Sequence, residues 1–111
     1  IQEEVGQFFL QKDNLPTAFF ADNDFLAISS IQAIQHAGYS VPDDISIVGF
    51  DDLDICTLLK PYLTTSHVDF SSMARIAIRH LMNMIEEPDF PLAKLTVATK
   101  FIERDSVKKI N

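Results

Sequence analysis

The chain has 111 residues, 47% of them hydrophobic, and a formal net charge of −7. A chain of this length forms one domain at most, which could bury roughly 65% of its unfolded surface. The excess negative charge lies in the segment 22–69, where Lys60 is the only basic residue among eight acids. Because nucleic acid binding requires clustered Lys and Arg, we expect this part of the chain not to bind DNA or RNA by itself.

The sequence predicts neither a membrane span nor an internal disulfide. No apolar run approaches the roughly 18 residues of a spanning helix, and no signal-peptide pattern is present. The chain has one cysteine, Cys56, which favours a reducing, cytoplasmic location. Because the chain begins at Ile1 inside an apparent helix, we expect it to be a fragment of a longer protein.

The first half of the chain is predicted to contain a strand, a helix and a second strand after an opening helix. In chain order, these elements are a helix at 2–12, a turn at 14–16, a strand at 17–21, a helix ending near residue 37, a turn at 41–44 and a strand at 45–49. Asp22, Asn23 or Asp24 can cap the second helix, and Gly38 marks its end. This order predicts two parallel strands joined by a right-handed crossover.

The second half is predicted to contain one long helix between two extended segments. A loop with a possible helical turn at 53–61 is followed by an extended stretch at 63–68, a helix from the cap Asp69 to about residue 85, and a strand at 95–104. The tail after Ser106 is expected to fray. There are no repeats and no low-complexity segments.

Two predicted helices are unusually apolar for a solvated monomer. No Asp, Glu, Lys or Arg occurs between Phe25 and Pro42. The helix after Asp69 is apolar on most faces and has only a narrow polar strip. Such a helix is either an ordinary core helix or one that also packs on a part of the parent protein outside this sequence.

Three kinds of catalytic or metal site are disfavoured by the pattern of residues. The acids of 22–24 and 51–52 faintly resemble the paired aspartates of haloacid-dehalogenase-type phosphatases, but Leu26 stands where that family has Thr or Val. Three glycines form no phosphate-binding cradle, and the three histidines are scattered, so we expect no cofactor and no metal. Cys56 could be a nucleophile with a histidine or an inert thiol.

A binding site fits the sequence better. Two apolar strands end in polar residues, which include Asn23 and Asp24 after the first and Asp51 after the second. Ligands of open parallel sheets usually lie at the carboxyl ends of the strands. Amide and carboxylate groups there could bracket the hydroxyl or amine groups of a small polar ligand. The alternative is that Asp24 only caps its helix and Asp51 only a turn.

The chain resembles the effector-binding domain of the lactose-repressor/galactose-repressor (LacI/GalR) family of bacterial transcription regulators over about residues 14–106. The matching runs are Pro16-Thr17-Ala18-Phe19-Phe20-Ala21-Asp22-Asn23-Asp24, the segment 37–52, Pro61-Tyr62-Leu63-Thr64-Thr65, the helix with Met73 and Arg75, and Glu103-Arg104-Asp105-Ser106. The resemblance implies an α/β fold of the periplasmic-binding-protein-like type I, mostly its carboxyl-terminal lobe. Residues 1–68 and 92–106 would form this lobe, and 69–91 would pack on the amino-terminal lobe.

The resemblance also implies roles for individual residues. Asn23 and Asp51 match effector-binding positions, Phe70 matches a position that can pack on the effector, and Asp24 is expected to cap and brace the cleft. Three residues are implied to form a homodimer interface: Ile28, Leu58 and Leu59. The chain departs from the usual Val, Arg, Gln and Pro at residues 66–69, which removes polar groups from the crossing between lobes.

Together, these observations predict the effector-sensing and dimer-forming part of a repressor without catalytic activity. Its partners would be a small polar effector such as a sugar or nucleobase, a second copy, and operator DNA through a helix-turn-helix outside this sequence. An extracytoplasmic sugar-binding protein of a transporter and, more remotely, a magnesium-dependent phosphatase are the alternatives.

Overall fold

A computed structural model describes residues 2–10 and 15–110 of the chain. The elements in chain order are α1 (Gln2–Leu10), β1 (Ala18–Phe20), α2 (Asp24–His36), β2 (Ser46–Val48), a 3₁₀ helix (Asp54–Thr57), β3 (Thr65–His67), α3 (Phe70–Glu86) and β4 (Lys100–Ile102). The predicted end of the first helix at 11–12 and Asn14 of the predicted turn lie outside the described residues. The chain divides into two compact units: Val68–Thr99 forms one, and the described residues before and after it form the other.

The strands of the first unit confirm the predicted parallel pairing. β1 and β2 run parallel with Phe19 beside Ile47, and each strand is shorter than predicted. Beyond β2, the backbone N–H of Gly49 donates to the carbonyl of Thr64 at 2.9 Å, which brings the segment before β3 alongside β2. β3 in turn pairs antiparallel with β4.

The sequence of α2 explains both its ends and its burial. The Asn23 side chain accepts a hydrogen bond from the backbone N–H of Leu26 at 2.9 Å, which caps the helix. Gly38 follows the helix with φ of +90°, the left-handed conformation that glycine adopts without strain. Six residues of α2 are buried: Asp24, Ala27, Ile28, Ile31, Ala33 and Ile34. The five that follow Asp24 are apolar, which accounts for much of the uncharged run that begins at Phe25. Four of them pack with Ile45, Ile47 and Leu63 in the core: Ala27, Ile28, Ile31 and Ile34.

The second unit contains α3 and the segment that follows it. As predicted, Asp69 caps α3, because its carboxylate accepts the backbone N–H of Ser72 at 2.9 Å. No residue of α3 is buried, so the interpretation of α3 as a core helix of this chain is wrong. The ring of His80 contacts that of Phe90 edge to face, with centroids 5.1 Å apart.

The last strand is shorter than the sequence predicts. Of the predicted residues 95–104, only Lys100–Ile102 form a strand, so the prediction for 95–99 is wrong. A strand needs a neighbour that shares its backbone hydrogen bonds, and among the described residues no strand pairs with 95–99. In the described part of the chain, no helix has both the length and the apolar character needed to cross a membrane.

Candidate functional site

The tips of β1 and β2 bring two predicted site residues to one cavity. Because the two strands are parallel neighbours, the residues that follow them emerge at the same edge of the sheet. Asn23 and Asp51 both line an open cavity of about 500 Å³ at this edge. Four other residues complete the lining: Phe25, Leu26, Ser29 and Leu53. The cavity therefore combines an amide, a carboxylate and a hydroxyl group with apolar walls.

The two polar atoms of the Asn23 side chain differ in their bonding. Its Oδ1 atom accepts the backbone N–H of Leu26, as the cap of α2. Its amide nitrogen makes no hydrogen bond to any of the described residues, and the side chain is half-buried. Asn23 can therefore donate a hydrogen bond to a ligand without uncapping the helix.

Asp51 presents a carboxylate from a strained backbone. Its φ is +114° and that of Asp52 is +63°, conformations that cost non-glycine residues about 1–3 kcal/mol each. The backbone N–H of Asp51 donates to the carbonyl of Ser66 at 3.0 Å. Within the described ranges its carboxylate has no hydrogen-bond partner, so both oxygens can accept hydrogen bonds from a ligand.

Asp24 does not line the cavity but braces it, because it joins α2 to Leu53 and both contribute to the lining. The residue is fully buried, and its Oδ1 accepts the Thr65 hydroxyl at 2.6 Å while its Oδ2 accepts the Leu53 backbone N–H at 2.8 Å. Asn23, and not Asp24, caps α2. The sequence predicts both a bracing role and an effector contact for Asp24, and this geometry favours the brace because the carboxylate has no exposed surface.

Asp52 is held by two side chains that the sequence analysis did not assign to the site. Arg104 Nη2 donates to its Oδ1 at 2.6 Å, and His67 Nδ1 donates to its Oδ2 at 2.9 Å. Burial acts to raise the pKa of Asp52, but the bonds from Arg104 and His67 outweigh it and lower the pKa. His67 lies in the segment 66–69, which departs from the family pattern. That departure is the sequence feature that could have indicated a role for His67 in the site.

Cys56 is not an activated nucleophile. It is fully buried beside Asp24. Burial, with a hydrogen bond to the Asp24 carboxylate and its negative charge, raises the pKa of the thiol to about 12. The reactive thiolate is therefore scarce at neutral pH, and the inert-thiol interpretation is favoured.

The remaining predicted residues lie away from this cavity or in the second unit. Phe70 is the first residue of α3 and is 53% exposed. Of the three dimer candidates, Leu58 and Leu59 are 72% and 46% exposed, whereas Ile28 is only 6% exposed. Ile28 and Leu59 nevertheless line a shared groove of about 140 Å³.

Comparison with known proteins places these features in a family. The sequence model of one protein family, the periplasmic binding protein-like domain, matches residues 2–107. The chain belongs to this family. It is 41% identical over 110 residues to the arabinose metabolism transcriptional repressor of Geobacillus stearothermophilus, covering 96% of this chain and 30% of that protein. It is 37% identical over 97 residues to the probable HTH-type transcriptional repressor ExuR of Bacillus subtilis, covering 87% and 29%.

Solved structures agree with this assignment. A LacI family transcriptional regulator from Enterococcus faecium with bound ribose has a TM-score of 0.82 and 28% identity, covering 99% of this chain and 41% of that one. The Lac repressor dimer bound to operator and the anti-inducer ONPF has a TM-score of 0.83 and 27% identity, covering 95% and 36%. These matches confirm the predicted family and the periplasmic-binding-protein-like α/β fold. The chain spans about a third of the length of its repressor relatives. It corresponds to part of the ligand-binding domain of LacI-family regulators.

Proposed function

We propose that this chain is the effector-binding and dimer-forming part of a DNA-binding transcriptional repressor and has no catalytic role. The effector is a small polar molecule such as a sugar or nucleobase. One observation carries the proposal: the Asn23 amide nitrogen and the Asp51 carboxylate, which have no hydrogen-bond partner among the described residues, line the same cavity of about 500 Å³. The repressors and ribose-bound regulator among its relatives support the same conclusion.

In the whole protein, the second unit would pack on the amino-terminal lobe. We propose that residues 69–91 pack on that lobe, that 1–68 and 92–106 belong to the carboxyl-terminal lobe, and that Phe70 packs on the effector. The exposed apolar surface of α3 supports this packing, because water-exposed residues of this kind are usually covered in the complete protein. They include Met73, Ile76, Ile78, Leu81, Met82, Met84 and Ile85.

The homodimer would form through the loop after the 3₁₀ helix. Leu58 and Leu59 contribute exposed apolar surface, while Ile28 contributes the wall of the groove beside Leu59. The whole protein would act on operator DNA in the cytoplasm through a helix-turn-helix located outside this chain. An effector that binds one arrangement of the lobes more tightly would shift the population that binds the operator.

Effector binding is tested on the full-length protein. A thermal-shift screen with ribose, arabinose, lactose, nucleobases and sugar phosphates identifies ligands, because a molecule that binds only the folded state raises the Tm. For a ligand found in this way, Asp51→Ala should abolish the ligand's effect on operator binding. The affinity for the operator without ligand should stay intact. Asp54→Ala is the matched control, since Asp54 is an exposed acid three residues along the chain that does not line the cavity.

Asn23 requires a variant that separates its two roles. Asn23→Asp retains a good helix cap but replaces the amide donor with a second carboxylate, so the Tm should change little while effector binding is lost. Normal induction in both the Asn23 and Asp51 variants would contradict the assignment of this cavity. Sugar binding without any operator binding by the full-length protein would instead favour a transporter-associated binding protein.

A further inference from the structure

The loop after β2 holds two consecutive aspartates in a conformation that non-glycine residues avoid. Asp51 has φ of +114° and Asp52 has φ of +63°. Such conformations persist only where the surroundings hold the backbone in place, and they concentrate at functional sites. Because the Asp51 carboxylate has no hydrogen-bond partner among the described residues, no bond of its own fixes its direction, and the backbone that carries it sets where the side chain starts.

The contacts of Asp52 supply the required restraint. Each of its carboxylate oxygens accepts a hydrogen bond, Oδ1 from Arg104 at 2.6 Å and Oδ2 from His67 at 2.9 Å, and the side chain is only 17% exposed. Arg104 is itself held, because its Nη1 donates to the Leu63 carbonyl at 2.8 Å and its backbone N–H donates to Thr64 Oγ1 at 2.9 Å. Hydrogen bonds to an ionised carboxylate such as that of Asp52 are shorter and stronger than bonds between neutral groups.

We propose that Asp52, Arg104 and His67 form a clamp that positions Asp51 toward the cavity. The clamp acts on the backbone: it fixes the residue after Asp51, while the bond from the Asp51 N–H to the Ser66 carbonyl fixes the residue itself. His67 ends β3 and Arg104 follows β4, so the clamp joins Asp51 to the strands at which the chain leaves the first unit and returns to it. This inference rests on the proposed function, because positioning Asp51 matters only if its carboxylate contacts the effector.

Hydrogen exchange of the Asp51 backbone amide in the full-length protein tests the clamp without any ligand. Asp52→Asn should raise the exchange rate of this amide about tenfold, since it weakens charged hydrogen bonds that hold the loop closed. His67→Gln should raise it by a smaller factor, and this milder variant decides the question if Asp52→Asn does not fold. Asp43→Asn is the matched control, because it breaks the exposed ion pair with Lys108 and should leave the Asp51 amide unchanged.

A second comparison separates positioning from general stabilisation. Asp51→Gly removes the strain, because glycine adopts positive φ freely. In the Asp51→Gly background, Asp52→Asn should therefore have much less effect on the exchange of the residue 51 amide. An equal effect in both backgrounds, or unchanged exchange in the single variants, would overturn the clamp. Because no effector is added, a protein that binds none of the screened ligands can still confirm or overturn it.

Discussion

The hydroxyl group of Thr65 donates a hydrogen bond of 2.6 Å to the buried carboxylate of Asp24, which lies 41 residues earlier in the chain. Both residues are fully buried. The bond joins the first turn of α2 to the start of β3, and the second carboxylate oxygen joins α2 to the backbone of Leu53. Asp24 therefore holds together α2, the start of β3 and the segment at Leu53, and two of these, α2 and Leu53, contribute to the lining of the candidate cavity.

Replacing Thr65 with Val should destabilise the fold. Valine has nearly the same shape but no hydroxyl, so the buried Oδ1 of Asp24 would lose its donor, which costs about 1–3 kcal/mol. Urea unfolding measures the change. Thr57→Val is the control, because Thr57 is exposed, and an exposed change of this kind should stay within about 0.5 kcal/mol. Equal losses in the two variants would contradict the importance of the buried bond.

Replacing Gly49 with Ala should also destabilise the protein. An added Cβ would lie 2.5 Å from Asp24 Oδ1 and 2.9 Å from Leu63 Cδ2, closer than packed atoms approach. Crowding of this kind costs about 1–3 kcal/mol. Gly6→Ala in α1 is the matched control: no atom of the described residues lies within 4 Å of its added Cβ, so the helix should gain stability. The two alanine variants should therefore shift the urea midpoint in opposite directions, and shifts of the same sign would contradict the prediction.

The Cys56 thiol should resist alkylation in the folded protein. With its pKa raised to about 12, the thiol supplies very little thiolate at pH 8. Treatment with iodoacetamide followed by mass spectrometry of the Cys56 peptide measures the reaction. Labelling should be slow in buffer and rapid in about 8 M urea, which unfolds the protein and exposes the thiol. Fast labelling of the folded protein would instead support the interpretation of Cys56 as a nucleophile.

The stability of the fold should fall in acid, with Asp52 as one cause. Its folded-state pKa lies below the ordinary value, so protonation is easier in the unfolded chain. The contribution is therefore fully present above the unfolded pKa, about 3.9 for Asp, and is lost as the pH falls through the lower folded-state pKa.

Urea unfolding at several pH values between neutrality and pH 3 tests this dependence. Asp52→Asn removes the titrating group, so its unfolding free energy should be lower at neutral pH and should fall less steeply below about pH 4. Asp54→Asn is the control, because Asp54 is exposed and its carboxylate has no bonded partner in the described chain. The unfolding free energy of the Asp54 variant should depend on pH as that of the parent does. If the Asp52 variant also shows the parent's pH dependence, the clamp contributes nothing to the loss of stability in acid.

Local patterns were sufficient for the strand tips. Apolar runs that end in polar residues predicted β1 and β2, and the intervening helix predicted their parallel pairing, which brings Asn23 and Asp51 to one edge. The same patterns failed at residues 95–99, because an apolar, β-branched run forms a strand only where another strand pairs with it. They also left open which of three adjacent polar residues caps α2, since Asp and Asn are equally good caps.

The sequence by itself determined the order of the elements, the family and the two polar strand tips, because these depend on neighbouring residues and on a specific run of matching positions. Only the tertiary structure decided what each acid does. Asp24 is buried because Thr65 and Leu53 can donate to it, and Asp52 is held because Arg104, 52 residues later, reaches it. The Asp51 carboxylate has no hydrogen-bond partner in the part of the chain that the structure describes. Hydrogen-bond partners so distant in sequence are set by how the strands align in space, which no local pattern records.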